Sequence, residues 1–146
     1  MRFVRGAVVL VFAFAAGTTA WAAPGDTVYA GTLNDGKTKV KLVVGMAGNA
    51  TAFKVAKTQA TCEQGTLDTE AATFRRFDTS DPGEFSDKRK STTQDGKYVL
   101  KDTFILSGAI NADETSWTGS YEKTTRVFKN GRKIDTCVLS ATWDVS

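Results

Sequence analysis

The 146-residue chain contains no histidine. That absence excludes Ser-His-Asp and Cys-His catalysis, removes His-ligated zinc, and takes away the usual near-neutral general base. Proline is scarce, with Pro24 and Pro82 alone. Beyond the N-terminus no stretch sustains a helical apolar period, so a helical class is excluded. Cysteine is limited to Cys62 and Cys137, without the C-x-x-C spacing of a redox motif. Long apolar runs are missing except for one near the start, "GAVVLVFAFAAG".

That run follows Arg2 and Arg5 and precedes "TTAWAAPGD", where Ala20 and Ala22 have the small-x-small spacing of a signal-peptidase site. It is shorter than the roughly 20 residues a bilayer-spanning helix needs. The sequence therefore predicts a signal peptide over 1–22 and a single domain over 23–146. The mature chain is expected to be secreted or periplasmic, with no membrane span. Without Arg2 and Arg5, seventeen Lys and Arg stand against sixteen Asp and Glu, a net charge of +1. Such a balance gives no support for sequence-independent nucleic-acid binding, which needs a concentrated positive surface. In an exported chain the two cysteines are expected to pair, Cys62 with Cys137.

What is present is two-residue alternation punctuated by turns. "TVYAGTL" (27–33) and "KTKVKLVV" (37–44) flank Asn34-Asp35-Gly36 as a hairpin. "ATAFKVAKTQATC" (50–62) reads as a third strand, and 72–77 as a weak one. The stretch 78–96, "DTSDPGEFSDKRKSTTQDG", has no apolar run and reads as a long charged loop. Strands resume over 97–106 and 116–128, with a short strand and turn between. Asn130-Gly131 then turns the chain into a final strand whose Cys137, Leu139, Ala141, Trp143 and Val145 share one face. The expected class is all-β, an antiparallel sandwich or flattened small barrel of about eight to ten strands. Its core would contain that face, with the register fixed by the Asn-Gly turn.

The order Tyr29-x-Gly31-Thr32, Val40-x-Leu42-x-Val44, Cys62, "SGAI", "WTGSY" and "CVLSATW" resembles a family of small secreted bacterial β-domains. That resemblance implies an exported β-fold and no assigned activity, so it carries no functional residues over.

Several constellations are candidates for chemistry. Asp78, Asp81, Glu84 and Asp87 could supply oxygens to calcium, but they lack the calcium-loop pattern and Lys88, Arg89 and Lys90 follow at once. A solvated, self-neutralising loop is the preferred reading. A glycosidase-like pair would have to come from Glu70, Asp102, Glu122 or Asp135, which read as solvent-face acids. Lys37, Lys39 and Lys41 share a face, joined by Lys54 and Lys57 if the third strand pairs with the second. That row could meet a polyanion, or it could protect an edge strand, and edge protection is the preferred reading. Tyr29, Trp117, Tyr121, Trp143 and the phenylalanines Phe53, Phe74, Phe104 and Phe128 either fill a core or line a barrel cavity; core is preferred for so short a chain. Asn49-Ala50-Thr51 fits a glycosylation sequon, discounted because the signal pattern is bacterial, and its position between two strands places Asn49 in an exposed turn.

These readings converge on an exported non-enzymatic binding, interaction or structural module without cofactor. Its partner would be a protein, a glycan or an envelope component. A calycin-like carrier of a small apolar ligand is the alternative, and a small carboxylate-based hydrolase the least favoured.

Overall fold

The computed structural model describes residues 21–146, and among these described residues are strands and turns and no helix. The expected signal segment, 1–22, lies almost wholly outside the described residues. β1 (Thr27–Leu33), β2 (Lys39–Val44) and β3 (Ala50–Val55) form a meander. β4 (Thr58–Cys62) and β5 (Gly65–Thr69) form a hairpin, and β6 (Ala72–Arg75) and β7 (Thr79–Asp81) are short. β8 (Glu84–Asp95), β9 (Tyr98–Ile110), β10 (Trp117–Lys129) and β11 (Arg132–Val145) are long. All pair antiparallel in one sheet with the order β6-β3-β2-β1-β11-β10-β9-β8-β7, curled into a half-barrel. The strands number eleven, above the eight to ten expected, and they do not divide into two stacked sheets.

The sheet branches at β11. Along one edge that strand pairs with β10 over its whole length. The other edge is shared: β1 takes Trp143–Val145 through Leu33, Thr32 and Gly31, while β4 takes Cys137 and Val138 through Cys62 and Thr61. Two branches thus leave one strand in different directions. The Cys62–Cys137 disulfide staples the second branch at a directly opposed pair.

Local chemistry sets the hairpins. Asp35 accepts the Thr38 hydroxyl at 2.5 Å and the N–H groups of Lys37 and Thr38 at 2.8 Å. These bonds, the Thr38 hydroxyl first, lower the Asp35 pKa. Asn130 and Gly131 both take positive φ, 52° and 76°, as a type I′ hairpin requires.

Three expectations are corrected. The stretch 78–96 is not a loop: β8 pairs with β9 from Glu84 opposite Ala109 to Asp95 opposite Tyr98. Only Phe85 of its inward row is apolar; Asp87, Arg89, Ser91 and Thr93 follow, so the ladder itself holds a strand with no apolar signature. The segment 50–62 is two strands, broken at Ala56-Lys57, because β3 pairs with β2 and β6 whereas β4 leaves for β5 and β11. Asn49 is half-buried, not a free turn residue: its Nδ2 donates to the Ser80 carbonyl at 2.6 Å.

That last bond belongs to the seam where the curled sheet approaches itself. β6 and β8 do not pair. The Ser80 hydroxyl donates to the Ala50 carbonyl at 2.7 Å, Asn49 bridges to Pro82, and the Arg89 guanidinium donates to the Arg75 carbonyl.

The concave face carries a large aromatic core and a smaller one under the β4–β5 hairpin, the latter built from Ala60, Leu67, Leu100, Val127 and the disulfide. Cys137, Ala141, Trp143 and Val145 face inward as expected, with Leu139 partly buried. Trp143 packs on Phe53 at 4.9 Å between ring centroids. Its indole lies over Gly108 and Gly119, which oppose each other across β9 and β10. A Cβ at Gly108 would fall 2.5 Å from the indole, so these positions need to be glycine.

Candidate functional site

Ladder register decides which side chains meet on each face of the sheet. Inside, Arg89, Phe104, Lys123 and Leu139 form one row across β8 to β11. Ser91, Asp102, Thr125 and Cys137 form the next. Asp102, Lys123 and Thr125 are all nearly inaccessible, at 2 %, 5 % and 1 % exposure. They make a polar band between the two cores. The Thr125 hydroxyl donates to Asp102 Oδ1, while Asp102 Oδ2 and the Ser91 hydroxyl are buried without a hydrogen-bond partner. The Lys123 ammonium sits 5.3 Å from the centre of the Phe104 ring.

Burial lowers the pKa of Lys123, against the pull of Asp102 and Glu70, which favour its charge. Burial raises the pKa of Asp87, opposed first by Arg89, whose Nε lies 2.5 Å from Asp87 Oδ2. Tyr121 is raised as well, by burial and then by Asp102. Of these groups Arg89 and Asp87 form an ion pair. Beside the band, between β6 and β8, a cavity of about 40 Å³ is lined by Ala72, Phe74, Arg89, Ser91 and Phe104. That is room for a water or two and not for an organic ligand.

Phe128 lies half-buried on the outer face under Lys101, not in the core; the inward aromatics are spent on each other. Phe74 meets Phe104 at 5.4 Å and Tyr121 at 6.0 Å, and Phe85 meets Phe77 at 4.6 Å. Such contacts are the geometry of a filled core.

The carboxylates separate. Asp81 and Glu84 pair at the tip of the β7–β8 hairpin, whereas Asp87 is buried against Arg89 and takes the Asp78 N–H at 3.2 Å. Asp78 itself accepts the Lys88 N–H at 2.8 Å. Glu70 pairs with Lys57 at 3.3 Å, Glu122 faces out, and Asp102 faces in. Asp135 is also buried, not on a solvent face, and accepts the N–H groups of Glu63 and Thr136 at 3.0 and 2.8 Å. It lies beside Cys62 and Cys137, but both sulfurs are bonded to each other and offer no thiolate to a metal. The inward phase of Asp102 is readable in the sequence, since it lies between Leu100 and Phe104 at two-residue spacing.

Outside, the lysine row takes a different position from the expected edge. Lys39 and Lys41 lie on β2, which has β1 on one side and β3 on the other. Lys54 joins them as anticipated and stands directly opposite Lys41. Lys37 is exposed in the preceding turn, and Lys57 turns to Glu70. Edge protection therefore does not explain Lys39 and Lys41.

Of a second cationic region the sequence reading picks out only Lys88-Arg89-Lys90, as one half of a self-neutralising stretch. Residues 88–101 and 124–134 hold nine Lys and Arg against Asp95 alone; Arg89 turns inward to Asp87, and antiparallel pairing brings the two segments of the remaining eight side by side. Lys88, Lys90, Lys101 and Arg126 are exposed, and Lys101 stands directly opposite Arg126. Among the described residues none of these four ion-pairs with a carboxylate. A net charge near zero hides this region because the fold, not the composition, concentrates it.

The chain matches no family model, no curated protein and no solved structure.

Proposed function

We propose that this chain is an exported, non-enzymatic binding module that engages an anionic partner with the outer face of its sheet. The N-terminal pattern of Arg2, Arg5, the apolar run and Ala20-x-Ala22 supports export. The observation that carries the binding reading is the direct opposition of like charges on interior strands, Lys101 with Arg126 and Lys41 with Lys54. Like charges directly opposed across strands are destabilising, and no free edge is present there to be protected. The interior meanwhile is occupied by rings in mutual contact, which favours packing over carriage of a ligand.

Retention on immobilised heparin at low salt tests the reading. The protein is expected to bind and to elute with rising salt, because surface charge pairs are screened within about 10 Å at 0.1 M. Passage through the column unretained, with no affinity for other polyanions, would contradict it.

A further inference from the structure

We propose that the end of the sheet formed by β8 to β11 is a docking surface for a linear acidic polysaccharide. This rests on the binding-module reading and names its ligand and its place. Lys90 faces Thr103, Lys101 lies two residues before Thr103 on the same strand, and Arg126 faces Lys101. These three cations thus run diagonally over β8, β9 and β10. Neighbours in such a diagonal are separated by about 5–8 Å, the scale of a single sugar unit. Thr92, Thr103 and Thr124 occupy the same outer face and put hydroxyl donors between the charges. The hairpin tips add Lys97, Lys129, Arg132 and Lys133 at the same end.

The weight falls on Lys101 and Arg126. Lysines on β8 also discourage strand addition, because that strand has an unpaired edge beyond its short ladder with β7. β9 and β10 are interior strands, where no such purpose exists. An uncompensated pair of cations there is an electrostatic cost that an anionic ligand removes.

Two other polyanions fit less well. A membrane surface is held by cations together with apolar or aromatic side chains that enter it, yet the tips, Asp95-Gly96-Lys97 and Lys129-Asn130-Gly131-Arg132, carry no apolar side chain. Single-stranded nucleic acid is bound by bases stacking on open rings. The two rings at this end are half-buried and already covered: Lys101 lies 4.8 Å over Phe128, and Lys97 and Lys129 lie 6.0 and 5.9 Å over Tyr98. A flexible chain of carboxylates or sulfates without bases matches what remains.

The test compares two outward-facing triple variants of the full protein, Lys90→Gln/Lys101→Gln/Arg126→Gln and Lys39→Gln/Lys41→Gln/Lys54→Gln. Calorimetry would be run against heparin and a polyuronate, with single-stranded DNA and anionic phospholipid vesicles as competitors and circular dichroism as the check on folding. The first variant is expected to lose about tenfold or more in affinity for both polysaccharides, and the second much less. If the first variant misfolds, Lys101→Gln/Arg126→Gln serves in its place, with a loss of about threefold or more. Loss confined to the β2–β3 variant, or equal in both, would overturn the assignment to this end while leaving the binding-module reading standing. Tighter binding of DNA or vesicles through the same residues would overturn the polysaccharide. Absence of binding to every polyanion would overturn both readings.

Discussion

Substituting Gly119 by alanine is expected to damage the fold more than an added methyl group at Gly108 or Gly96. Gly119 opposes Gly108 on β9 and Trp143 on β11, in the interior of the longest ladders. A Cβ built there overlaps the carbonyl oxygen of Ser107 and the indole of Trp143. The indole can tilt, but the carbonyl belongs to the neighbouring strand and moves only if β9 and β10 part. Overpacking costs about 1–3 kcal/mol, and a ladder hydrogen bond lost adds about 1 kcal/mol. The expected destabilisation is therefore about 2–4 kcal/mol by urea titration. Gly108→Ala differs in kind, since the nearest atoms its Cβ meets belong to side chains: Trp143 at 2.5 Å and Phe85 at 2.6 Å. Combining Trp143→Phe with each alanine should therefore recover stability for Gly108→Ala and much less for Gly119→Ala. Gly96→Ala is the control: its φ is 58° and nothing lies within 4 Å of the added carbon, leaving only backbone strain of about 1 kcal/mol. Unfolding of Gly119→Ala within about 0.5 kcal/mol of the parent would refute this reasoning, as would rescue of both alanines alike by Trp143→Phe.

The disulfide, the polar band and the buried lysine each give a further expected outcome. Cys62 and Cys137 are 75 residues apart, so the double alanine variant should lose about 4–5 kcal/mol in the chain-entropy model; amide exchange should rise first in the β4–β5 hairpin, which β4 holds to β11 by two register pairs. Thr125→Val removes the one hydrogen bond the Asp102 carboxylate receives and leaves both its oxygens unpaired, a loss of about 2–3 kcal/mol by denaturant titration. Lys123 has a folded pKa lowered by burial, with Asp102 and Glu70 opposing. Between that lowered value and 10.5 the unfolded chain holds a proton the folded chain has released, so stability should rise with pH in that window. Lys123→Met should flatten the rise; Tyr121, whose raised pKa acts in the opposite sense above 10.0, is common to both proteins and cancels in the difference.

How far the fold can be read from the sequence depends on whether a strand has one apolar face. β1 and the final strand do, and their bounds, the Asn130-Gly131 turn and the Cys62–Cys137 pairing are all legible. β8 has none, because its inward side chains after Phe85 are Asp, Arg, Ser, Thr and Asp and its outward ones are Glu, Ser, Lys, Thr and Gln. In sequence it therefore looks like a loop. Asp102 and Lys123 are legible in phase but overruled by type, since a charge in register with Leu100 or Tyr121 goes against the habit of keeping charges in water. The centrality of β2 and the clustering of Lys101 with Arg126 depend on strand order, which alternation does not encode. That is why the lysine row reads as an edge and why, of the larger cationic end, only Lys88-Arg89-Lys90 shows in the pattern.

The protein is held to bind with the outside of its sheet and to pack with the inside. Backbone amide shifts recorded while the labelled protein is titrated with a linear acidic polysaccharide test this most directly. Saturable shifts are expected along Lys90, Thr103, Lys101 and Arg126, with Phe53, Phe74 and Trp143 unmoved. Shifts concentrated on those core residues, or on neither face, would contradict it.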